Sequence, residues 1–132
     1  GIGEAVQLAY DMVDRIRANT SNGYDGIAGG DGPPNPPGCI GDGANCSEAQ
    51  MVDFDTALWK CQLGEYRDDA ICIALRGAGA IPDQRGLSDG DGAVQVVENV
   101  LPNGTRVYDA TVTVQWTSAD GQVQNVVIDS QA

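Results

Sequence analysis

The sequence predicts an α+β fold, with a helix first, an antiparallel sheet last and a long loop-rich connection between them. Three observations carry this. Apolar residues recur at helical spacing from Glu4 to Arg17, and apolar and polar residues alternate from Arg106 to Trp116. Between these two stretches glycine and proline are dense, interrupted by one helix with clear start signals. The length of 132 residues is that of one domain. Its expected parts are residues 1–19 as the first helix, 20–92 as a connecting region holding a second, short helix over 47–63, and 93–132 as the sheet.

In the first helix Ala5, Leu8, Ala9, Met12, Val13 and Ile16 follow i, i+3, i+4 spacing and make one stripe, the candidate core and assembly face. Asp11 stands four residues before Arg15 and Asp14 three before Arg17, pairings that favour a helix. Asn19-Thr20-Ser21-Asn22-Gly23 stops it, while Gly1-Ile2-Gly3 offers no capping side chain. Residues 20 to 46 read as loop, because Gly29 to Gly38 lacks backbone donors at its prolines and resists order at its glycines. Ser47 with Gln50 three residues on spells a capping box, with Glu48 favourable in the first turn. Met51, Phe54, Leu58 and Cys61 form the stripe of this second helix, Trp59 lies on its flank, and Gly64 is its stop. Ala70 to Leu75 fits a short strand or a helical turn, and the sequence does not choose. From Ala93 the period becomes two. Turns at Pro102-Asn103-Gly104 and Ser118-Ala119-Asp120-Gly121 separate strands over 93–101, 106–116 and 123–128. The result is a meander of three to four strands with one buried face, where Tyr108, Ala110, Val112, Val114 and Trp116 share a side.

Composition narrows the function. Lys+Arg total 7 against Asp+Glu 19, a net charge of −12. Such a chain repels phosphate backbones and anionic lipid, so no nucleic acid partner is expected. The absence of histidine excludes His-based acid–base, nucleophile and metal chemistry. Cys39, Cys46, Cys61 and Cys72 are even in number and lack the pair spacing of a zinc knuckle or redox motif, which points to disulfides and an oxidising compartment. Four cysteines allow three connectivities. The sequence-local set, Cys39–Cys46 with Cys61–Cys72, is preferred, each small loop contributing ~2.5–3 kcal/mol on chain-entropy grounds. The expected protein is exported, and its natural start is expected to lie ahead of Gly1.

Gln7-Leu8-Ala9-Tyr10-Asp11-Met12-Val13-Asp14-Arg15-Ile16-Arg17-Ala18-Asn19 resembles the "LAYDMADRMRAN" stretch of the PilV-type minor pilins of type IV pili, also called type IV pilus modification proteins. Cys46-Ser47-Glu48-Ala49-Gln50-Met51-Val52-Asp53-Phe54-Asp55 with Leu58-Trp59-Lys60 is similar to the family's cysteine, cap and "D-x-x-x-W" helix. Thr111-Val112-Thr113-Val114-Gln115-Trp116 is similar to its final "V-x-V-x-W" strand. Together the matches cover about a third of the chain in the family's order. Gly86 to Gly92 stands where relatives carry a shorter turn, and the family's processing site and apolar N-terminal segment are not in this sequence. The resemblance implies a pilin-like roll whose N-terminal helix continues into a membrane-spanning half. It further implies a subunit held in the inner membrane facing the periplasm, then joining the extracellular pilus at its tip. The implied partners are other minor pilins, the major pilin, a large tip adhesin and the inner-membrane assembly machinery. The implied roles are pilus priming, adhesion and twitching motility, with no cofactor and no catalysis. A minor pseudopilin of a type II secretion system has the same architecture. The alternative of another class is a small disulfide-bonded secreted binding module.

Two chemical readings are weaker. Asp89-Gly90-Asp91-Gly92 suggests a calcium loop, but the fifth and twelfth positions are Ala93 and Val100, so only a weak site from Asp89, Asp91 and Asp83 is conceivable. Asp53/Asp55 and Asp68/Asp69 are carboxylate pairs, yet residues one or two apart on a helix do not face each other. Trp59 and Trp116 are expected in the core.

Overall fold

The computed structural model describes residues 1–39 and 45–131. Residues 40–44 of the expected 20–46 loop, and Ala132, lie outside the described residues. Helix α1 (Ile2–Ala18) starts at Gly1 without a side-chain cap and ends at Asn19, whose N–H donates to the carbonyls of Arg15 and Ile16. All six residues of its stripe are buried. The charged pairings expected along this helix are replaced by longer reaches. Arg15 turns to Asp55 at 2.8 Å and Arg17 donates to the Ser130 hydroxyl at 2.8 Å.

The sheet has three strands, β1 (Asp91–Val100), β2 (Arg106–Thr117) and β3 (Val123–Gln131), antiparallel in the order β1-β2-β3. Val94 pairs with Val112 and Val112 with Ile128, so the apolar positions of all three strands line one face. There Val94, Val96, Ala110, Val112, Val114 and Trp116 are buried. Helix α1 lies across β2 and β3, while α2 (Glu48–Leu63) packs beside α1 and against β1. Removing such side chains from water contributes roughly 1.5–3 kcal/mol each, which makes this face the main stabilising element. The 20–46 stretch is not wholly loop. Ile27 bridges antiparallel to Val94, with Val94 N–H donating to Ile27 O at 2.8 Å, so this segment closes the outer edge of β1.

Helix α2 carries the full capping box, the Ser47 hydroxyl accepting from Gln50 N–H and the Gln50 side chain accepting from Ser47 N–H. It spans 16 residues, within the expected 47–63. Of its expected stripe Leu58 and Cys61 are buried and Met51 and Phe54 half-buried, while most of the burial lies elsewhere on the helix. Leu58 and Cys61 face a small second cluster with Cys72 and Ile81, while Trp59 and Leu63, on the opposite side, enter the main core. The second half of α2 is therefore sandwiched, and a single-face pattern does not describe it. Gly64 ends it at φ 130°, with space for no side chain, because a Cβ there would stand 2.0 Å from Leu87 O. The undecided 70–75 stretch belongs to a helix, α3 (Ala70–Gly77), whose start is set by the Asp69 carboxylate accepting from Ile71 N–H at 2.9 Å.

Candidate functional site

The structure holds two disulfides, Cys39–Cys46 and Cys61–Cys72. The second is buried and joins α2 to α3 through the small cluster, whereas both cysteines of the first are half-buried. No free thiol remains for nucleophilic chemistry.

The stripe of α1 is spent against the chain's own sheet, since Ala5, Ala9 and Met12 are fully buried. On another flank of the same helix Ile2 and Tyr10 stay exposed, 68% and 49%, with half-buried Val6 between them. Positions 2, 6, 10 and 17 fall on one side of an α-helix, so this is the flank from which Arg17 reaches Ser130 of β3. One helix thus has an intramolecular face and an open apolar flank.

The most elaborate polar site surrounds Lys60, which is fully buried. Its Nζ donates to Asp91 Oδ1 at 2.7 Å, Ala28 O at 2.7 Å and Gly92 O at 2.8 Å, so each of its three protons has an acceptor. It also stands 5.5 Å from the centre of the Tyr66 ring. Asp91 Oδ2 accepts from Gly30 N–H at 2.7 Å and from the Tyr66 hydroxyl at 3.0 Å. Burial alone would raise the Asp91 pKa, but the Lys60 ammonium and the amides of Gly30 and Gly92 outweigh it and hold the carboxyl below its usual range. Burial, and then the bond to Asp91, pushes Tyr66 up to about 12. The ammonium clamps the loop, the connecting region and the start of β1 to α2. Gly92 completes the fit, since a Cβ there would sit 2.3 Å from the Trp59 ring.

This geometry gives carboxylates of the weak calcium reading other partners. Asp91 is the counter-ion of Lys60 with both oxygens engaged, and Asp83 pairs with Arg67 at 3.1 Å. Asp89 takes φ 53° in the turn before β1. No group of three or more Cys, Asp or Glu among the described residues could hold a metal ion. The sequence offered one clue to the clamp: Lys60 lies inside the run Ala57-Leu58-Trp59-Lys60-Cys61, where a charge is out of place unless a partner is buried with it.

A second ion pair, with a buried carboxylate and a half-buried guanidinium, lies near the C-terminal end of α1. Asp55 is 3% exposed and takes Arg15 on Oδ1 at 2.8 Å and the Tyr24 hydroxyl on Oδ2 at 2.6 Å. Burial, then the Asp55 bond, raises the Tyr24 pKa. Asn19 Nδ2 donates to the Tyr24 oxygen at 3.2 Å and to Glu48 O at 3.0 Å, tying the end of α1 to the start of α2. The carboxylate pairs are separated in role. Asp55 is locked inside and Asp53 stands exposed, while Asp69 caps α3 and Asp68 is exposed. The clefts among the described residues are shallow. One, of about 280 Å³, lies between Glu4, Gln7 and Asp11 of α1 and Gln62 and Gln84, and burial there raises the Asp11 pKa. No helix of the described residues is long and apolar enough to cross a membrane.

Among protein-family models, curated proteins and solved structures, none matches this chain.

Proposed function

We propose that this chain is the globular domain of a type IV minor pilin, a non-catalytic subunit that packs with other pilins and takes part in priming the pilus and building its tip. The observation that carries the reading is the division of α1. Its inner stripe is consumed by an antiparallel sheet, while Ile2, Val6 and Tyr10 leave an apolar flank open along an N-terminal helix. A helix arranged in this way suits assembly through packing. Supporting it are the two disulfides, which suit an exported subunit, and polar clusters whose groups are spent on holding the fold. In this reading the natural protein continues α1 into a membrane anchor, waits in the inner membrane facing the periplasm and ends in the extracellular pilus beside a tip adhesin.

The test is the mass and N-terminal sequence of the protein taken from its native membrane or pilus fraction. An apolar segment of about 20 residues ahead of α1, starting with a methylated aromatic residue, is the expected result. An ordinary cleaved signal peptide ending at Gly1 overturns the reading and favours a secreted binding module. Variants separate core from assembly. Ala9→Asp abolishes folding, whereas Tyr10→Asp keeps the fold and lowers incorporation into pili.

A further inference from the structure

The two edges of the sheet are treated differently. The β1 edge is closed by the Ile27 bridge, by Gly26 N–H donating to Val94 O at 3.2 Å, and by the Asp25 carboxylate accepting from Val96 N–H at 2.9 Å. No described segment pairs with the β3 edge, and its nine residues contain no proline, no lysine and no arginine, the usual devices that protect an edge. Val123 and Val127 are 61% and 52% exposed. The open backbone groups can be named. Thr117 N–H points away from β3, to Ser88 O at 2.9 Å, although Thr117 is the partner of Val123. Alternation along an antiparallel ladder then directs the N–H and C=O of Val123, Asn125, Val127, Asp129 and Gln131 outward.

We infer that the β3 edge pairs antiparallel with the β3 edge of a second copy of this chain, about a two-fold axis at Val127. Charge selects the occupant. The molecule carries −12, which opposes self-association through most surfaces, yet β3 holds a single charge, Asp129, which accepts from the Thr111 hydroxyl at 2.9 Å. About Val127 the strand complements itself. Val127 meets Val127 and Val126 meets Ile128, Asn125 meets Asp129 as donor to acceptor, and no like charges face each other. A two-fold at Asp129 would oppose two carboxylates, and one at Asn125 leaves the end of the strand unpaired. The helices agree with this pairing. Because α1 lies over β2 and β3, adding a strand at the usual ~4.8 Å spacing brings two copies of α1 to roughly 10 Å, the separation of packed helices. The flank they then share carries Ile2, Val6 and Tyr10. The inference does not rest on the pilin reading, and a monomeric domain would leave that reading standing.

Sedimentation of the domain with its disulfides intact tests it. The expected result is a dimer at high micromolar concentration that tightens as salt rises, because salt screens the repulsion between two acidic copies. Val127→Pro removes only an outward N–H, which an edge strand tolerates, and returns the protein to monomer. Register is read by cross-linking. Val127→Cys places two thiols opposite each other at a Cα separation of ~5.5 Å, within disulfide reach. Val123→Cys leaves them roughly 27 Å apart. Cross-linking at 127 and not at 123 supports the two-fold. A monomer at every salt concentration overturns the inference, as does a dimer that survives Val127→Pro or cross-links equally at both positions. Should Val127→Cys fail to fold, the sedimentation of the unmodified chain decides.

Discussion

The core under the sheet and the smaller one between α2 and α3 are held by different means. The first gathers sixteen buried residues among those described, from α1, α2, the loops and the strands, whereas the second has four, Leu58, Cys61, Cys72 and Ile81. Four buried side chains offer little apolar area for holding the connection from Gly64 to Gly90 in place. Covalent and polar ties add to it. Cys61–Cys72 fixes α3 to α2, and Lys60 gathers Ala28, Asp91 and Gly92 around one ammonium. Backbone contact adds to this, with Leu87 N–H donating to Leu63 O at 2.8 Å and Glu65 N–H to Gly90 O at 2.9 Å. Where apolar area is scarce, this chain uses bonds of fixed geometry.

The largest break in that contrast should come from Lys60→Met. It removes the cation beside the half-buried Asp91 carboxylate and the donor to two carbonyls, and should cost ~3–5 kcal/mol in denaturant unfolding. Loss below ~1 kcal/mol would show that the clamp is only decorative to stability. Cys72→Ser should cost ~2–5 kcal/mol, and its signature is spatial. Amide exchange should rise through α3 and the following loop well before it rises in β2. Equal acceleration everywhere would mean that the small cluster is not a separate unit. Cys39→Ser, whose bond lies outside both clusters among the described residues, should cost no more than about 2.5 kcal/mol and leave α3 protected.

The smallest effect near neutrality is that of pH, and its two limits differ in sign. Asp91 has a lowered folded pKa, so the stability it contributes is present above its unfolded value of 3.8 and is lost as pH falls below about 4. Tyr66 is raised from 10.0 to about 12 and Tyr24 is also raised, so their contribution is present below pH 10 and is lost above it. A melting curve measured across pH should be flat through neutrality, with an acid limb that Lys60→Met changes and an alkaline limb that Tyr66→Phe shortens.

Legibility in the sequence divides along the same line. The α1 stripe and the alternation of β2 were readable because each element meets one apolar surface, so period reports burial directly. The capping box of α2 was readable because its chemistry is local, Ser47 to Gln50. The sandwiched half of α2 was not, since Trp59 and Leu63 face one core and Leu58 and Cys61 another, which erases the period. Helix α3 is eight residues long and its cap, Asp69, sits among other acids, so neither length nor cap distinguished it from a strand. The Lys60 site joins residues 28, 60, 66 and 91 through tertiary contact alone, which left Asp91 looking like half of a metal loop.

Lys60 is the one lysine of this sequence, and it is wholly enclosed. A lysine-directed acylating or coupling reagent offered to the folded domain therefore finds no exposed side-chain amine. Modification at Lys60 must wait for the clamp to open. Its rate, followed by peptide mass, becomes a built-in clock for that opening, with no probe engineered into the protein.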